Sequence, residues 1–175
     1  MGLKPSKVNI TQQYDFPQYG LSADEGGNLK KYFNQAANRQ HELLENDFKK
    51  VYLQLNPSAN PKQIQDAAKK VYTSANTSRL MFDEFIAVYI MLKSSPKEFA
   101  KNVKAFFKSI NQTYVSKDQA NKFAKFLHNF YGKPANAPSP ETTVNKFAGN
   151  FGDKIPIEDF LDYVSPYYFY YDCLV

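Results

Sequence analysis

The sequence predicts an all-α protein, and three features carry that expectation. Apolar residues recur at helical spacing in eight separate segments of the 175-residue chain. Prolines and capping residues fall between those segments, where helices stop and start. No run of ordinary strand length alternates, and 7 Gly are too few for a turn-dense β-protein or a glycine-rich phosphate loop.

Residues 1 to about 24 hold two prolines, several Asn and Gln and no sustained periodicity, and read as a flexible N-terminal arm. Tyr14, Phe16 and Tyr19 are the side chains able to pin part of it to the surface. From Asn28 the pattern turns helical, with Leu29, Tyr32 and Phe33 on one face, and a polar break AANRQHE follows. A second helix runs from Leu44 to Leu55. Asn56–Pro61 breaks it, and Pro61 suits the first turn of a third helix that reaches about Tyr72. After TSANTSR comes Met81–Leu92, apolar on every side and charged only at Asp83 and Glu84. Such a helix belongs in the middle of a protein, yet it is too short to cross a bilayer.

Ser94-Ser95-Pro96 ends that helix and starts the next, which carries Phe99, Val103, Phe106, Phe107 and Ile110 inward and Lys97, Lys101, Lys104 and Lys108 along the other side. NQTY separates it from a helix over Ser116–Tyr131. The proline-rich loop GKPANAPSP precedes a short helix around Glu141–Phe147, then AGNFGDK, then a last helix from Ile157 to about Tyr163, where Pro166 is expected to interrupt. The chain ends in the aromatic tail YYFYYDCLV.

Composition narrows the function. With 15 Phe, 13 Tyr and no Trp, packing rests on Phe and Tyr. The single Cys, Cys173, excludes an internal disulfide framework and a multi-Cys metal site, and fits a reducing, cytoplasmic setting. His41 and His128 have no nucleophile motif nearby, and no enzyme activity is expected. A formal charge of +5 favours acidic partners. Met1-Gly2-Leu3-Lys4-Pro5-Ser6 fits the N-myristoylation pattern at Gly2, against the plainer reading of an unmodified arm. An acyl chain holds a membrane only marginally without a basic patch. The Lys97, Lys101, Lys104 and Lys108 stripe is the candidate second signal for an anionic surface, or simply a solvated helix face. Nucleic-acid binding is not expected: Arg occurs only at positions 39 and 79, and no exposed aromatics interleave with the lysines.

A repeat organises the chain. Leu43-Leu44-Glu45-Asn46-Asp47-Phe48, Leu80-Met81-Phe82-Asp83-Glu84-Phe85 and Ile155-Pro156-Ile157-Glu158-Asp159-Phe160 share one pattern, with Val115-Ser116-Lys117-Asp118-Gln119-Ala120 as a weaker fourth. The leading residues lie 80 − 43 = 37, 115 − 80 = 35 and 155 − 115 = 40 positions apart. A helix-break-helix unit at such a period marks tandem supersecondary structure. Over about residues 25–165 the sequence resembles the EF-hand superfamily, of the four-handed calmodulin type or the penta-EF-hand group. The resemblance implies two lobes of paired helix–loop–helix units, 25–93 and 94–175, the second carrying the aromatic tail. Leu43, Leu80, Val115 and Ile155 would join paired loops through short β-bridges, and Phe48, Phe85 and Phe160 would anchor the exit helices.

The departures from the family are as informative. Calcium needs oxygen ligands at loop positions one, three, five and twelve and a glycine at six. The first loop offers Ala36, Asn38, Gln40 and Asp47, with His41 at six. The second offers Thr73, Ala75, Thr77 and Glu84, and the fourth Ala148, Asn150, Gly152 and Asp159. The third is about three residues too short to wrap an ion. With at most one carboxylate among those four positions in any loop, no physiological calcium site and no other cofactor is expected. Asp47, Glu84, Asn150 and Asp159 remain the weak candidate ligands for residual, millimolar binding. The resemblance further implies a partner protein, an amphipathic helix gripped through faces bearing Phe85, Ile86, Tyr89, Phe107 and Phe123, or a homodimer through the C-terminal tail. The expected function is a calcium-independent regulatory or adaptor protein. The alternatives are a myristoylated peripheral membrane protein and a weak calcium binder.

Overall fold

The computed structural model describes residues 14–94, 96–109, 112–132 and 138–169. Gly2, the start of the N-terminal arm and the tail from residue 170 lie outside the described residues, so the myristoylation and tail-dimer expectations fall outside them too. Among the described residues there are eight α-helices: α1 (Ala23–Ala36), α2 (Glu45–Leu55), α3 (Pro61–Ala75), α4 (Phe82–Lys93), α5 (Pro96–Ser109), α6 (Lys117–Tyr131), α7 (Pro140–Phe151) and α8 (Ile157–Phe169). Four two-residue strands complete it: β1 (Leu43–Leu44), β2 (Arg79–Leu80), β3 (Tyr114–Val115) and β4 (Ile155–Pro156). The fold is all-α apart from these bridges.

The helix starts follow local chemistry. Asn60 and Ser116 close capping boxes with Gln63 and Gln119, each satisfying two N–H groups that a helix end leaves free, and Ser139 caps α7 through the Thr142 N–H. Pro61 and Pro140 open α3 and α7, where a missing N–H costs nothing.

Four local expectations are corrected. The first helix begins at Ala23, not Asn28, because Ser22 and Glu25 form a capping box that carries the helix through Gly26 and Gly27. The stretch from Tyr14 onward is not an arm. Phe16–Tyr19 forms a 3₁₀ turn, and Phe16, Tyr19 and Leu21 are buried. Helix α7 continues to Phe151, past the expected end at Phe147. Helix α8 runs through Pro166 to Phe169. A proline inside a helix costs about 3 kcal/mol; burial of Phe160, Leu161 and Val164 in the preceding turns offsets it.

The bridges fix how the helix–loop–helix units pair. β1 and β2 are antiparallel with Leu43 opposite Leu80, and β3 and β4 are antiparallel with Val115 opposite Ile155. These are the four residues that lead the sequence repeat. The Tyr72 hydroxyl donates to the Leu43 carbonyl at 2.6 Å and ties α3 to the first bridge. The Ile157 N–H donates to the Thr113 carbonyl at 3.0 Å and extends the second.

The halves share one core. Helix α3 lies along α6, with the Lys70 ammonium 4.4 Å from the Phe130 ring centre, and α5 packs on both α4 and α8. Buried side chains from Phe16 to Val164 form one continuous apolar cluster. Helix α4 lies within it, burying Phe82, Phe85, Ile86, Val88, Tyr89, Ile90 and Met91, as its all-round apolar character requires. No helix among the described residues is long and apolar enough to cross a membrane.

Candidate functional site

The paired loops are the first place to look for chemistry. In the first, the side chain of Asn38 is the organising centre: its Oδ1 accepts the N–H groups of Gln40 (3.0 Å) and Glu42 (2.9 Å). The Asn38 N–H donates to the Glu42 carbonyl and the His41 N–H to the Asn38 carbonyl, closing the turn. His41 sits at φ +60°, so the position where a calcium loop has glycine keeps the left-handed backbone without glycine. Arg79 reaches across the bridge to Glu42, Nε to Oε2 at 3.2 Å, and joins the two loops.

The weak candidate ligands do not converge. Asp47, in the first turn of α2, lies 3.6 Å from Lys50. Glu84 turns back on its own helix, and its Oε1 accepts the Met81 N–H at 3.0 Å. Asn150 lies exposed inside α7, and Asp159 is exposed in the first turn of α8. In the fourth loop the nearby Asp153 caps α6, accepting the Lys117 N–H at 2.8 Å. Among the described residues no three His, Cys, Asp or Glu side chains gather where they could hold a metal ion. The residues present do not fit calcium. The loop oxygens already accept backbone N–H groups, and Ala36, Thr73 and Ala148 supply no carboxylate at position one.

Two substitutions test this account of the first loop. Asn38→Ala strips the acceptor from two N–H groups and is expected to cost about 1–2 kcal/mol, with faster amide exchange at Gln40 and Glu42, whereas Asn38→Asp keeps the acceptor and should cost less. His41→Gly is expected to leave the urea midpoint unchanged or raise it. The left-handed strain it relieves, about 1–2 kcal/mol, outweighs the added freedom of glycine in the unfolded chain, about 0.4–1 kcal/mol.

The aromatic residues expected to face a partner do not form one surface. Phe85, Ile86 and Tyr89 are all but inaccessible. Phe85 sits among the rings of Phe33, Phe48 and Tyr89, with centres 5.6–6.2 Å away. Burial, with Glu25 nearby, pushes the Tyr89 phenol up to about 12. Phe107 and Phe123 are half-buried elsewhere, edge-on to each other at 6.3 Å, with Phe123 against Phe160 of α8. The corrected picture is a closed interior, because rings at helical spacing meet rings of neighbouring helices before they meet solvent.

The lysine stripe is also reduced. Lys101 and Lys108 are exposed, but Lys104 is half-buried and bonded to Asp162 of α8, which neutralises it; nothing is described of the Lys97 side chain.

What sequence reasoning missed is the seat of the Tyr14–Leu21 segment. The Tyr14 ring lies 5.6 Å from Phe82 and 6.5 Å from Phe106, and Tyr19 meets Phe106 edge-on at 5.4 Å. The Tyr14 hydroxyl donates to the Asp83 carboxylate at 2.6 Å. Burial and that carboxylate together hold the phenol well above its ordinary pKa. Lys30 lies over both Tyr14 and Phe16, 5.3 and 5.7 Å from the ring centres. Two signals were present: three aromatics in an otherwise polar stretch, and the Ser22-x-x-Glu25 capping box that marks the start of α1 directly behind them.

A separate cleft of about 490 Å³ lies between α6 and α7, lined by Lys117, Asp118, Asn121, Glu141, Val144, Asn145 and Asp153. Its acidic side chains point to no ligand by themselves, and Asp118 is already 3.2 Å from Lys122.

No known family pattern matches the chain, and no curated protein is detectably similar to it in sequence.

Proposed function

We propose that the chain is a degenerate EF-hand-like adaptor, without enzymatic activity, that binds a partner protein through its apolar helix faces and works in the cytoplasm independently of calcium. One observation carries the reading: the β-bridges join the residues that lead the sequence repeat, Leu43 to Leu80 and Val115 to Ile155, while the first loop is held by its own Asn38 side chain. The architecture that pairs EF-hand loops is kept, and the ion's place in the first loop is taken by the amide of Asn38. A loop so held needs no ion to reach its working shape, so partner binding is not gated by calcium. The single Cys supports a reducing compartment.

Calorimetric titration with calcium up to millimolar is expected to be flat; a micromolar site in any loop overturns the reading. Cross-linking in cell extract should recover the same partner with chelator as with calcium, and capture only in calcium would also sink it.

A further inference from the structure

The segment Tyr14–Leu21 is attached to the molecule by one face. Phe16, Tyr19 and Leu21 are buried and Tyr14 is half-buried, while Asp15, Pro17, Gln18 and Gly20 are exposed. Its backbone hydrogen bonds close on itself: Gln18 N–H to Asp15, Gly20 N–H to Pro17 and Leu21 N–H to Phe16, with the Asp15 N–H on the Tyr19 hydroxyl. Side chains make the attachment, through the rings against Phe82 and Phe106 and the Tyr14–Asp83 hydrogen bond. The seat is shaped for a ring. At Gly26 of α1 a Cβ atom would lie only 2.0 Å from Cδ2 of the Phe16 ring, and Gly20, at φ +79°, sits where a Cβ would lie 2.6 Å from the Asn102 amide nitrogen of α5. The walls come from α1, α4 and α5, and so from both halves of the chain.

We propose that this segment is a displaceable strap. It occupies in cis a groove that accepts a partner segment of the same chemistry, with aromatic residues at the spacing of Tyr14, Phe16 and Tyr19 and an aliphatic residue at that of Leu21. The inference rests on the adaptor reading and names the site that reading uses. A segment whose backbone is satisfied within itself leaves without stripping backbone hydrogen bonds from the body it leaves; the Tyr14–Asp83 bond is the side-chain bond it gives up. The rings of Phe82 and Phe106 and the bare backbone at Gly26 then meet another segment's rings as they met the strap's. Partner affinity is lowered by the fraction of molecules whose strap is seated, so loosening the strap raises it.

Two measurements on the full chain decide the proposal. Hydrogen exchange of the native protein should show the Gly20 and Leu21 amides opening at least 100-fold more often than the Phe85 amide of α4, with little dependence on low urea. Exchange of those amides only through global unfolding makes the segment ordinary core and overturns the proposal. A fluorescent synthetic peptide of residues 14–22 should bind the Tyr14→Ala, Phe16→Ala double variant at least tenfold more tightly than the native chain. Equal binding to both, or binding to neither, overturns it as well. The exchange measurement needs no variant, so it decides the matter even where the double variant fails to fold. Neither arm uses calcium or a cellular partner, so their failure leaves the calcium titration and the cross-linking result for the adaptor reading standing.

Discussion

Phe85→Ala is expected to destabilise the protein by about 3–5 kcal/mol, the range for deleting a fully buried aromatic ring. Phe85 is 1% exposed and touches rings from two other helices, Phe33 of α1 and Phe48 of α2, besides Tyr89 on its own. Each of those neighbours is held in turn: Phe33 by Phe82, and Phe48 by Tyr52 and Tyr72. Rings held from several sides relax little into a void, so the cavity persists and the loss sits toward the upper end of the range. Against a typical total stability of about 5–15 kcal/mol, this variant is at the edge of folding. Urea denaturation followed by circular dichroism measures it. Phe85→Leu, which refills most of the space, should lose less than half as much. A loss under about 1 kcal/mol for Phe85→Ala would mean that the ring faces an open groove, and the closed interior described above would be wrong.

The same residue shows how much of the fold the sequence carries. Its helix is apolar all round, and only a central position satisfies that pattern. The four repeat-leading residues were legible because a β-bridge wants an apolar residue at a fixed place in each unit, and spacing reports it. Pro61 and Ser116 placed their helix starts to within a residue, since capping is local chemistry. The end of α7 and the passage of α8 through Pro166 were not legible, because tertiary burial decided them against local preference. The lie of α3 along α6 was invisible for a related reason: no local pattern says which exposed-looking face of one unit meets another.

The candidate site divides along the same line. The absence of a calcium-ligand set could be read directly, since the lack of a carboxylate at position one or three of the expected loops is a fact of sequence. What holds the first loop could not. Asn38 stood in the sequence only as the residue at position three of the first loop, and its Oδ1 accepts two backbone N–H groups only in the folded loop. Glu84 stands at position twelve of the second expected loop, yet in the fold it serves the first turn of α4. A carboxylate three residues into a helix has a backbone partner within reach at all times, and without other ligands beside it that partner wins. The burial of Phe85, Ile86 and Tyr89 was not legible for the converse reason: periodicity reports which side of a helix is apolar, not whether that side is covered. Over Phe82 and Phe106 the cover is Tyr14–Leu21, a stretch whose two Gly neighbours in α1 disguised the helix behind it.

Those two glycines give the second large effect, and they act in opposite directions. Gly26→Ala is expected to destabilise the protein by about 1–3 kcal/mol, the usual cost of forcing extra volume into a packed site. Gly27→Ala, one residue on, is expected to stabilise it by about 0.5–1 kcal/mol, the preference of a helix interior for alanine over glycine. Both gain the same helix propensity, so the difference between them isolates what the new methyl group meets. At Gly27 it meets open solvent, with nothing within 4 Å; at Gly26 it meets the ring of Phe16, which is itself wedged against Tyr14 and Tyr19. The ring must leave for the methyl group to enter, and Tyr14 loses its stacking partner when it does. With no Trp in the chain, tyrosine fluorescence reports the change directly, and urea midpoints give its size. The loss at Gly26 should come with more solvent-exposed tyrosine emission and faster exchange at Gly20 and Leu21, while α4 amides shift only by the global change. Equal stability of the two alanine variants would place Phe16 away from α1, and the strap with it.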